Sequence, residues 1–169
     1  MPILNPDHLL EQAERLVAAP LAGPPRQVDL RRAVSSAYYA LFHATLTALA
    51  DEVVGAFHQN TLRYALVHRS VDHRAIKELC LTLSKRAPPA KYAPFAPTGF
   101  FGRDFLIFAG TFAALQEERH RADYDVGARY RMSNARAAIA QSRSGLAAFR
   151  NLPAPQKKMF LTLLLCPPR

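Results

Sequence analysis

The sequence predicts an all-α protein, an antiparallel up-and-down bundle of six or seven helices. Three observations carry that expectation. Strand signals are nearly absent. Apolar residues recur at spacings of three and four over long stretches. The 13 prolines and 7 glycines cluster between helical runs instead of punctuating short alternating segments. Helical runs joined by short connections pack most simply as antiparallel neighbours.

The elements follow in order. Asn5 caps a first helix over residues 6–18, with Leu9, Leu10, Ala13 and Leu16 inward. A Pro- and Gly-rich run, 20–25, ends it. A second helix over 29–54 carries two apolar stripes. Leu30, Val34, Ala37, Leu41, Ala44 and Ala48 form one; Tyr39, Phe42, Leu46, Leu49 and Val53 form the other on a different face. A helix apolar on two sides has two burials to satisfy. One is the bundle core; the second is expected to be a partner copy, giving a homodimer through the second helix. A short helix covers 61–68, and Asp72 caps the next over 73–85. Residues 87–102 form a long loop whose rings Tyr92, Phe95, Phe100 and Phe101 are expected to plug one end of the bundle. The fifth helix, 103–123, aligns Phe105, Phe108, Phe112, Leu115 and Arg119 on one face. Ser133 caps a sixth, to 151, with Ala135, Ile139, Leu146 and Phe149 inward, and Pro155 opens a last short one ending at Cys166. There are no internal repeats. Residues 1–169 read as one domain with its core in 28–150 and a short C-terminal helix and tail in 151–169.

Half of the residues are hydrophobic and 21% are charged, a globular composition. The net charge is +9, and 17 of the 22 basic residues are arginine. That balance favours nucleic acid, nucleotides or acidic partners, and forked phosphate contacts in particular. Arg136, Arg143 and Arg150 repeat every seven residues along the sixth helix and so share a face that could follow a phosphate backbone; a solvated outer face is the simpler account. Two cysteines without CxxC spacing, Cys80 and Cys166, imply neither a disulfide framework nor a zinc site, and each is expected to be a buried thiol. No HExxH, P-loop, GxGxxG or GxSxG signature occurs, so no metal and no cofactor is expected. The first residues lack the basic start and apolar run of a leader, and no apolar run is long enough to span a bilayer; the expectation is a cytoplasmic protein without a membrane partner.

The densest chemistry lies at 117–125, Glu-Glu-Arg-His-Arg-Ala-Asp-Tyr-Asp, where seven of nine residues can carry charge at the end of an apolar helix. Such a crowd is costly unless its members pair, face water or hold a ligand. Arg119 lies on the apolar stripe, so it is expected to point inward and to need a partner, which Asp123 can supply one turn later. Arg119, His120, Arg121, Asp123 and Tyr124 are candidate binding residues. Tyr124 is expected to pack its ring and to bond a neighbour through its hydroxyl. On the second helix Tyr39 and His43 are four apart and share a face; they complete the candidate set. A histidine mid-helix among apolar residues is ordinarily a satisfied core residue.

The runs Leu30-Arg-Arg-Ala-Val-Ser-Ser-Ala-Tyr-Tyr-Ala-Leu-Phe-His43 and Arg119-His-Arg-Ala-Asp-Tyr-Asp125 together resemble the HEPN superfamily. Its members are all-α bundles found in nucleotidyltransferase-linked proteins, toxin–antitoxin systems and RNA-cutting enzymes. The resemblance spans roughly 28–149. It implies a dimeric helical domain, with a nucleotidyltransferase or an antitoxin as a possible partner protein. Active members of the superfamily resemble metal-independent endoribonucleases, with an Arg followed four to six residues later by a His near the end of a late helix. The Arg would clamp phosphate and the His would move protons. Arg119 matches that Arg and His120 fills the next polar position, but Tyr124 stands where the His should be, and a phenol is a poor proton carrier at neutral pH. Arg63 and His68 fit the spacing literally, although so many arginines produce such a match by chance. The expectation is a HEPN-like domain that binds RNA, a nucleotide or an acidic protein through a basic cleft near Arg119–Tyr124. The alternatives are an endoribonuclease using Arg63 with His68 or Arg119 with His120, and a non-catalytic dimeric adaptor.

Overall fold

The long second helix organises the molecule. The computed structural model describes residues 4–18 and 23–169; residues 20–22 of the predicted Pro/Gly run lie outside the described residues. Among these there are seven α-helices and no strand: α1 Pro6–Leu16, α2 Gln27–Val54, α3 Leu62–His68, α4 His73–Leu83, α5 Arg103–Tyr124, α6 Met132–Arg150 and α7 Ala154–Leu165. Short 3-10 turns cover Ala56–His58 and Ala90–Tyr92.

Helices α1, α2, α5 and α6 alternate in direction. The start of α2 meets the end of α5, where Arg31 reaches the carbonyls of Ala122 and Asp125. The start of α1 meets the end of α6, where Arg150 holds Asp7. Helices α2 and α6 form the close diagonal and run the same way: Gln27 pairs with the backbone of Tyr130, and the Ser142 hydroxyl donates to the Ala37 carbonyl at 2.7 Å. Gly145 permits that approach. A Cβ there would meet Thr111 at 2.9 Å and Leu41 at 3.2 Å.

Local chemistry places most boundaries. Asn5, Thr61 and Asp72 each accept a hydrogen bond from the first turn of α1, α3 and α4. Helix α6 departs from the Ser133 cap. It begins two residues earlier, with the Arg131 amide donating to Asn134 Oδ1 at 2.9 Å; the chain closes its own first turn through Asn134 rather than through the serine. The loop over 87–102 plugs one end as expected. Phe101 is buried against Phe105 with centroids 4.1 Å apart, while Phe95 stays exposed.

Most of both stripes of α2 is buried within one subunit, while Tyr39, Ala44 and Ala48 are partly covered and Val53 is exposed. Leu30, Val34, Ala37 and Leu41 face α5 and α6, and Phe42, Leu46 and Leu49 are covered as well. Tyr64 of α3 helps close the second side, its hydroxyl donating to Asp51 Oδ1 at 2.8 Å. The core also draws on both ends of the sequence, with Leu10 and Ala13 of α1 and Phe160, Leu161 and Leu163 of α7 in the buried cluster.

The arginines repeated along α6 lie on a solvated outer face, and two of them also pair with α1. Arg143 holds Glu14 at 2.6 Å and Arg150 holds Asp7 at 2.8 Å; Arg136 is exposed. Cys80 is fully buried, and burial pushes its thiol up, but Cys166 is exposed because α7 ends at Leu165. No helix among the described residues is long and apolar enough to cross a membrane.

Candidate functional site

The charged end of α5 meets a polar stripe on the first half of α2. Arg31, Ser35, Tyr38 and Tyr39 recur at helical spacing and face it. Arg31 donates through Nε to the Ala122 carbonyl at 2.5 Å and through Nη2 to the Asp125 carbonyl at 2.8 Å. It thus places a fixed positive charge on the carbonyl end of α5, where the helix dipole is negative. Ser35 donates to Asp123 Oδ1 at 2.5 Å. Asp123 Oδ2 lies 3.1 Å from Arg119 Nε, and Arg119 Nη2 donates to the Tyr39 hydroxyl at 2.5 Å.

Arg119 points inward, as its place on the apolar stripe requires. Its guanidinium lies 5.2 Å from the Tyr39 ring centre, 5.7 Å from that of Tyr124 and 5.8 Å from that of Tyr38. Burial works against the charge, but the Tyr39 hydrogen bond, Asp123 and Tyr124 outweigh it and hold Arg119 more firmly protonated than usual. The Nε–H sits near the carboxylate without a hydrogen-bonding alignment, so its contact with Asp123 is electrostatic only. Arg119 therefore cross-links α2 and α5.

The other candidates divide. His120 and Tyr124 lie side by side on the outer surface, their rings tilted by 47° with centroids 5.0 Å apart. Tyr124 is 65% exposed, which corrects the expectation that its ring packs. Arg121 turns away, pairing with Glu118 at 3.3 Å and lying over Tyr130. Tyr130 bonds Glu118 through its hydroxyl, and burial with that carboxylate pushes it up to about 12. Glu117 leaves the cluster for Lys77 of α4 at 2.9 Å.

Neither Arg–His pair is brought together. Arg63 is exposed on α3, while His68, five residues on, is half-buried beside His43. Arg119 points inward and His120 outward. His43 continues the line from Tyr39, with centroids 6.1 Å apart, but it is not the satisfied core histidine expected: its Nδ1 is buried without a hydrogen bond. Burial, helped by His68 and His73, lowers His43 to about 4.

The sequence reading missed three residues of the site. Arg31 and Ser35 lie inside the quoted run on α2, and their four-residue spacing was the available signal. His73 gave none; it arrives from α4, where its Nδ1 meets the Tyr38 hydroxyl at 2.7 Å. Beside the Arg119 cross-link, a hollow of about 510 Å3 opens between the start of α2 and the end of α5. Gln27, Arg31, Arg32, Asp123 and Tyr124 line it. Its chemistry is an exposed phenol ring beside an exposed arginine, Arg32, on a scaffold fixed by internal ion pairs. No cluster of metal-ligating side chains occurs among the described residues. Compared with known proteins, the chain matches no family model, no curated protein and no solved structure.

Proposed function

We propose that the chain is a HEPN-like helical domain that binds single-stranded RNA across the hollow between α2 and α5. The observation that carries the reading is the exposed Tyr124 ring. It lies beside His120 at a tilt of 47°, with the Arg119 guanidinium next to it and Arg32 across the hollow. Aromatic platforms beside arginines bind unstacked bases and the phosphates that link them. Asp123 does not repel the backbone, because Ser35 and Arg119 hold its two oxygens. The net charge of +9 supplies the long-range attraction.

Fluorescence anisotropy with a labelled single-stranded RNA, repeated as salt is raised, tests this. The expected result is binding that weakens steeply with salt and loses about 1–3 kcal/mol in Tyr124→Ala. Tyr124 is mostly exposed, so that substitution should change stability by under about 0.5 kcal/mol. No binding at low salt would leave the charge without its proposed partner. Incubating the same RNA in EDTA reads out cleavage in parallel.

A further inference from the structure

We propose that the cavity between α2, α3 and the start of α4 is a binding site for a neutral aromatic ring of phenol or indole size carrying one N–H or O–H group. Its volume is about 480 Å3, within the ~300–1,000 Å3 of small-molecule sites. It shares no lining residue with the Tyr124 hollow, so it stands apart from the RNA reading.

The walls set the class of ligand. Phe42, Leu46 and Val71 are apolar, and three imidazoles, His43, His68 and His73, supply the rest of the ring surface. His43 and His68 lie nearly parallel, 19° apart with centroids at 5.8 Å; His73 lies 3.9 Å from Phe42 at 30°. Such faces receive a flat ring in offset or edge contact.

The polar atoms set its functional group. His43 Nδ1 and His68 Nε2 are buried without a hydrogen-bond partner. Several other polar groups of the wall are occupied: Tyr64 and Gln59 by Asp51, His73 by Tyr38, and Asp72 by the first turn of α4. Native structures rarely leave buried nitrogens idle, and a bound group that donates or accepts there removes the deficit.

The charge of the wall is balanced. Burial lowers all three histidines, so the imidazoles are neutral at neutral pH, and the two charged side chains of the lining, Arg69 and Asp72, are of opposite sign. The face-to-face setting of His43 and His68 does not converge their nitrogens on a metal. A neutral ring with one hydrogen-bonding group fits both the apolar walls and the idle nitrogens. It could be a free metabolite or the aromatic side chain of a peptide.

The full chain, labelled with 15N and 13C in histidine, is titrated by NMR with phenol, with indole, with benzene and with a short peptide bearing one Trp. Phenol or indole is expected to shift the His43 and His68 ring signals saturably, with benzene about tenfold weaker because it lacks the hydrogen-bonding group. Saturation by the peptide at lower concentration than by free indole assigns the ring to a protein partner; the reverse assigns it to a small molecule. Ala65→Trp, which fills the cavity from α3, should abolish the shifts. His43→Phe, which keeps a ring and removes one of the two idle nitrogens, should weaken phenol toward the benzene level as read at His68. The proposal is overturned if no aromatic probe gives saturable shifts. It is equally overturned if the shifts persist unchanged in both variants, since binding then lies elsewhere.

Discussion

The Arg119 guanidinium on α5 donates to the Tyr39 hydroxyl on α2 at 2.5 Å while lying 3.1 Å from Asp123 on its own helix. One side chain thus ties an ion pair along α5 to a hydrogen bond across the bundle. Arg119→Leu strands a half-buried carboxylate and is expected to cost about 1–3 kcal/mol in urea unfolding. Arg119→Leu with Asp123→Asn should recover most of that loss, because the stranded charge goes while Ser35 keeps an acceptor. A double-variant loss equal to the sum of the losses in Arg119→Leu and Asp123→Asn alone would show that the pair is not coupled.

Acid should destabilise the fold through its histidines. His43 is lowered to about 4, by burial first and then by His68 and His73, and burial also lowers His68 and His73. The unfolded chain binds these protons near 6.5 and the folded one only at lower pH. Between those values the unfolded state holds more protons, so stability rises with pH. The contribution is complete above about 6.5 and lost as pH falls toward about 4. Thermal midpoints should drop across that window, and His43→Phe should flatten the drop. A midpoint that does not change from neutral to pH 4 would contradict the burial of neutral imidazoles.

Gly145→Ala should destabilise, against the ordinary preference of helices for alanine. The new Cβ would meet Thr111 Cγ2 at 2.9 Å, Thr111 Cβ at 3.1 Å and Leu41 Cδ2 at 3.2 Å. Overpacking of this kind costs about 1–3 kcal/mol, which exceeds the ~1 kcal/mol that alanine gains in a helix. Thr111→Ala removes the closest of these atoms and should restore part of the loss. The readout is chemical denaturation of the two single variants and the pair.

What holds α1 in place is its apolar face, not its ion pairs. Arg143→Ala breaks an exposed bridge to Glu14 and should cost under about 1 kcal/mol. Leu10→Ala empties a fully buried position and should cost about 2–5 kcal/mol. Unfolding curves of the two variants decide the ranking, and a larger loss in Arg143→Ala would reverse it.

The fold was legible where the chemistry is local. Asn5, Thr61 and Asp72 announce helix starts because the capping oxygen and the amide it serves lie within three residues. Arg119 and Asp123 were legible as a pair for the same reason, one turn apart on a stripe whose apolar members demand burial. Contacts between distant segments were not. Nothing near Arg31 says that its fork will close on carbonyls some ninety residues away, and nothing near His73 says that it meets Tyr38. The second stripe of α2 was read correctly as needing cover, but the cover comes from the same chain: Tyr64 of α3 and the start of α4 supply it. Arg143 and Arg150 looked like a free basic face because the acids of α1 lie more than a hundred positions away.

The diagonal contact between α2 and α6 has a consequence for biosynthesis. Ser142 and Ala37 are separated by 105 residues. At a translation speed of about 5–20 residues per second, α2 waits roughly 5–20 s for the segment that shields its Ala37–Leu41 flank. During that interval a long greasy helix protrudes from the ribosome, capped on one side only by its nearest neighbours. The nascent polypeptide is thus a natural client for holdase chaperones until α6 leaves the exit tunnel.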